Sequence, residues 1–96
     1  MSANLTTKLT TARYGTLQPQ IEVRLPKGTH YRALNATLHR LAADIECATP
    51  ENEGWVVTTE FFCDDRGVIA LELADGTAAE AQRGMAILAQ ITTAAR

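Results

Sequence analysis

Aromatic side chains are scarce in this chain: one tryptophan, two tyrosines and two phenylalanines make up 5% of 96 residues. The core must therefore be aliphatic, assembled from Leu, Ile, Val and Ala. Cysteine and histidine are scarcer still. Cys47, Cys63, His30 and His39 match no zinc-binding spacing, and neither histidine has a cysteine or carboxylate three or four residues away. There is no nucleophile elbow and no glycine-rich phosphate loop. An enzyme is not expected, and neither is a metal or a cofactor. No apolar run approaches the roughly 18 residues of a membrane span. The opening MSANLTTKLTT holds one lysine and no apolar signal segment. The expectation is a cytoplasmic protein that does not contact membrane, with both cysteines as buried thiols.

What is present is enough for one domain, residues 1–96, with a single modest core. Its net charge of −2 hides a split. Up to residue 43, Lys8, Arg13, Arg24, Lys27, Arg32 and Arg40 face Glu22 alone. Beyond it, ten acids face Arg66, Arg83 and Arg96. Such asymmetry suits a polar partner surface or self-association, although neighbouring halves can also neutralise each other within one fold.

The chain resembles itself. Sliding it by 48 positions superposes Ile21, Val23 and Leu25 on Ile69, Leu71 and Leu73, and Gly28-Thr29 on Gly76-Thr77. Leu9-Thr10-Thr11 falls on Val57-Thr58-Thr59, and Tyr14 on Phe62. Identity is low, eight pairs of 48, but the matches concentrate at apolar strand positions and at the strand-to-helix junction. Two β-β-α units, residues 5–48 and 53–96, are expected to close on each other, because one such unit cannot bury its apolar face alone.

In the first unit, residues 6–14 read as a threonine-rich strand and 15–19 as a turn. Residues 20–25 alternate apolar and polar, the period of a half-buried strand. Thr29 stands where a helix N-cap belongs. After it Tyr31, Leu34, Leu38, Leu41 and Ile45 form one apolar helical stripe. The second unit predicts strands over 55–63 and 68–74 around a DDRG turn, in which Asp64 and Asp65 act as turn formers. A capping box at Thr77 and Glu80 then opens a helix whose inward residues are Ala81, Met85, Leu88 and Ile91. The final TTAAR is expected to fray. The fold class is α+β: a two-layer sandwich of order ββαββα, with a four-stranded, mostly antiparallel sheet and both helices on one face.

Function must be sought on surfaces. The strand at 55–63 carries large apolar groups at both parities, and helices on one face can cover only one of them. Either Trp55 and Phe61 or Val56 and Phe62 are left outward, and Val68 extends that open face. The leading expectation is a non-enzymatic interaction module, a homodimer or a small adaptor or inhibitor, binding a protein partner through Trp55, Val56, Phe61, Phe62 and Val68. The alternative is nucleic-acid binding through Arg24, Lys27, Arg32 and Arg40, opposed by the acids of the second half. The segment LPKGTHYR (25–32) sets glycine and basic groups before a helix, as anion sites do. Its counterpart Asp75-Gly76-Thr77 carries an acid, which favours a plain cap.

Overall fold

The structure, a computed structural model, describes residues 3–12 and 15–95. Tyr14, which the 48-residue offset places on Phe62, lies outside them. Strands β1 (Asn4–Thr11) and β2 (Leu17–Arg24) form a hairpin, and α1 (Tyr31–Ala48) follows. A short 3-10 turn, Glu51–Glu53, leads into β3 (Val56–Cys63), β4 (Arg66–Glu72) and α2 (Ala78–Ala94). The order is ββαββα, and the four strands make one sheet, β1-β2-β4-β3, antiparallel at every junction.

The second strands of the two units pair at the centre, with Ile21 directly opposite Ile69. Alternation sends Ile21, Val23, Ile69 and Leu71 to the helix side, where they are essentially sealed from water. Each helix crosses to the other hairpin: α1 packs on β3 and β4, and α2 on β1 and β2. Leu34, Leu38, Leu41 and Ile45 of α1 and Leu88 of α2 complete the aliphatic core. Two glycines set how closely the layers approach. A Cβ on Gly67 would lie 2.9 Å from Leu38 Cδ1 and 2.8 Å from the Glu60 carbonyl oxygen. One on Gly84 would lie 3.0 Å from Pro19 Cγ, so α2 sits directly on that proline.

Several boundaries differ from expectation. β2 begins at Leu17, so residues 17–19 are strand and not turn. Pro19 is tolerated because the pairing of β2 with β4 begins only at Gln20, where its missing N–H matters less. The N-cap of α1 is His30, whose Nδ1 accepts from the Arg32 amide at 3.1 Å, while the Thr29 hydroxyl turns back to the Pro26 carbonyl. α2 runs to Ala94 with Thr92 buried, and the Thr92 hydroxyl donates to the Leu88 carbonyl at 2.7 Å.

The first strands follow a different offset from the rest. Leu5 stands opposite Val23, and Val57 stands opposite Leu71. The structural counterpart of Val57 is therefore Leu5 and not Leu9, and Thr6-Thr7 matches Thr58-Thr59. The motif Leu-Thr-Thr occurs twice in β1, at 5–7 and 9–11, and the ungapped comparison takes the wrong copy. A four-residue slip keeps strand parity, so it leaves every side chain on its face and only moves the pattern along the strand.

Candidate functional site

The parity of β3 is decided by its partner. Val57, Thr59 and Phe61 oppose Leu71, Ile69 and Gly67 and lie on the helix side. Val56, Thr58 and Glu60 oppose Glu72, Ala70 and Val68 on the open face. A bulge adds one residue between Phe61 and Cys63, bending the end of the strand. Phe62 there carries the Arg66 guanidinium over its ring, 5.6 Å from the centroid.

The open face is not an apolar sheet. On β1 and β2 it presents Asn4, Thr6, Lys8, Thr10, Gln18, Gln20, Glu22 and Arg24. Glu22 takes ion pairs from Lys8 at 3.1 Å and Arg24 at 3.3 Å, and the Lys8 contact is the main cause holding its carboxyl below the usual range. Val68 and Ala70 do occupy the centre, but they are only 5% and 8% exposed. Glu22 and Glu60 flank Val68, and Gln20 and Thr58 flank Ala70, so longer neighbours close over both. Val68 thus offers no contact surface.

Trp55 is also withdrawn. Its indole N–H donates to Glu80 Oε2 at 2.9 Å, and Arg83 lies over its ring, 5.4 Å from the centroid. Arg83 is held in place by Glu53 at 2.7 Å. Glu80 serves three donors, since its other oxygen accepts from the amides of Asp75 and Thr77 and completes the capping box with Thr77. The indole hydrogen bond, with these amides, lowers the Glu80 pKa against the opposing effect of burial. This network is a structural clamp joining the 50–55 linker to α2.

Apart from Leu9 of β1, which is 45% exposed, the exposed large apolar groups gather at one edge of the sheet. Val56 (53% exposed), Phe61 (42%) and Phe62 (51%) all belong to β3, and Tyr31 packs its ring against Phe61 at 5.8 Å. β3 is the outermost strand, and no described residue pairs with its far side. Half of its backbone N–H and C=O groups therefore point away from β4, ready for another strand. β1, the other edge, is protected differently: its open face is wholly polar, with Lys8 at its middle. The position matching Phe61 is Leu9, which borders a shallow groove of about 460 Å³ with Leu17, Ala78, Ala81, Gln82 and Met85.

The four basic candidates do not form one surface. Arg24 belongs to the open face, opposite Arg66, and shares a 340 Å³ depression with Lys27, Arg66, Cys63 and Asp65. Arg32 and Arg40 stand on α1, in the other layer. Asp64 and Asp65 line a groove with Gly28, Thr29 and His30, which opposes an anion at the 25–32 segment. Both cysteines are exposed and not buried as expected. Cys47 falls on the solvent side of the last turns of α1, and Cys63 follows the bulge, where its thiol donates to Asp65 at 3.0 Å. Among the described residues no group of three or more His, Cys, Asp or Glu is placed to hold a metal ion, and no helix is long and apolar enough to cross a membrane.

The edge position of β3 was not contained in the one-dimensional pattern, because strand order depends on which hairpin strands meet at the centre. Compared with models of protein families, with characterised proteins and with solved structures, the chain has no significant match.

Proposed function

We propose that this protein is a non-enzymatic protein–protein interaction module that works by accepting an extended partner strand on the free edge of β3. One observation carries the reading: among the described residues, three of the five exposed large apolar side chains, Val56, Phe61 and Phe62, lie on one eight-residue edge strand, on both of its faces, and a fourth, Tyr31, packs against Phe61. In strand addition, main-chain hydrogen bonds supply affinity and alternating side chains supply selectivity. Val56 and Phe62 on the open face, and Phe61 with Tyr31 on the helix side, would grip a partner strand from both sides. Leaving them in water forgoes roughly 1.5–3 kcal/mol for each fully buried Val or Phe side chain.

A random peptide library displayed on phage tests this. Enriched peptides should alternate apolar residues, and on addition to isotopically labelled protein they should shift the amide resonances of residues 56–62 first. Shifts confined to the groove near Leu9 and Met85, or to the polar face of β1 and β2, would refute the assignment.

A further inference from the structure

We propose that the strand docking on β3 is β3 of a second copy of this chain, antiparallel, with Thr59 on the two-fold axis. This rests on β3 being the docking edge and adds its occupant and register. Residues directly opposite in an antiparallel pair point to the same face, so a two-fold pairing of β3 with itself sets one residue against its own copy.

Three registers keep the strand paired over most of its length. With Glu60 on the axis, two like charges stand opposite each other, and Phe61 and Phe62 meet Thr59 and Thr58; directly opposed like charges destabilise. With Thr58 on the axis, Val56 meets Glu60 and Val57 meets Thr59. With Thr59 on the axis, Val57 meets Phe61 on the helix side and Glu60 meets Thr58, while the bulged Phe62 lies just past the end of the regular ladder, beside Val56 of the second copy. Only this register sets Phe61 against an aliphatic β-branched residue on its own face, a favourable cross-strand combination, and keeps the carboxylates apart. The segment VVTTEFF (56–62) is thus symmetric in polarity about Thr59. The bulge lies beyond Phe61, so residues 57–61 keep a regular ladder. β1 at the matching positions offers Asn4, Thr6, Lys8 and Thr10 on the open face, and its apolar residues, Leu5 and Leu9, lie on the helix side alone, so it carries large apolar groups on one face where β3 carries them on both.

Cysteine cross-linking reads the register. In a Cys47→Ser/Cys63→Ser background, Thr58→Cys and Glu60→Cys variants are oxidised separately and as an equimolar mixture. Both positions lie on the open face outside the core, and circular dichroism checks the fold. Opposed residues have Cα atoms about 4.5–5.5 Å apart, within disulfide reach. The expected result is a 58–60 cross-linked heterodimer as the dominant product of the mixture, with little product from either variant alone. Sedimentation of the uncross-linked parent should show dimer mass, lost on Phe62→Lys. Self-cross-linking of Glu60→Cys as fast as the mixture would overturn the register. A parent that stays monomeric at millimolar concentration would overturn the second copy as occupant. If library peptides still mapped to residues 56–62 in that case, the edge would remain a docking site for a different protein.

Discussion

Ile21 and Ile69 face each other across the central β2–β4 pair, at 0% and 1% exposure. They are also partners under the 48-residue offset, so the β2–β4 pairing is symmetric about them, with Gln20 opposite Ala70 and Glu22 opposite Val68. Each helix then covers the hairpin of the other unit, which makes either half unable to bury its apolar face without its counterpart.

Truncating that shared core should therefore be costly. Leu38→Ala and Leu71→Ala are each expected to lower stability by roughly 2–5 kcal/mol, whereas His39→Ala, on the exposed side of α1, should stay within about 0.5 kcal/mol. Urea unfolding of the three variants checks this. Small, equal losses would mean the inward faces are misassigned.

Gly67→Ala should destabilise by about 1–3 kcal/mol through overpacking. The added methyl would meet both Leu38 and the Glu60 carbonyl oxygen. Combining it with Leu38→Ala should relieve only the first of these clashes, because the carbonyl belongs to the backbone of the neighbouring strand, and urea unfolding of the single and double variants checks this.

Glu80 should shape the acid limb of stability. Its carboxyl is held below its ordinary value of 4.5, chiefly by the Trp55 indole. A carboxyl depressed in the folded state stabilises above its unfolded pKa, and that contribution fades as pH falls through the folded value. Wild type should lose stability on that descent, and Glu80→Gln should show a flatter profile with lower stability at neutral pH. Trp55 is the single tryptophan, so its fluorescence reports the clamp directly.

Phe61→Ser and Phe62→Ser should separate. Phe61 packs on Tyr31 on the helix side, so its loss should lower both stability and association. Phe62 touches Arg66 at the bulged end and is half exposed, so its replacement should leave the monomer folded while weakening association. Calorimetry and sedimentation, run on both variants, distinguish the two effects.

Nucleic-acid binding should be weak and strongly salt-dependent. Arg24 and Lys27 share one depression with Arg66, whereas Arg32 and Arg40 stand on α1, so neutralising either pair should not abolish a common site. Fluorescence anisotropy with duplex and single-stranded probes should show no tight binding at about 0.15 M salt.

The sequence by itself determined the element order, the inward faces of β2, β4 and α1, and the capping box at Thr77 and Glu80. Each depends on periodicity or local spacing, which the chain carries in one dimension. It also marked β3 as having apolar groups at both parities. The parity itself, the edge position of β3 and the burial of Val68 were decided only by tertiary structure. Phe61 falls on the helix side because the β3–β4 register sets it opposite Gly67, whose missing side chain lets Leu38 reach the sheet. Val68 is covered because strands on both sides of β4 bring glutamates against it. β3 is an edge because β2 and β4 take the centre, a choice among strands far apart in sequence that no local pattern encodes.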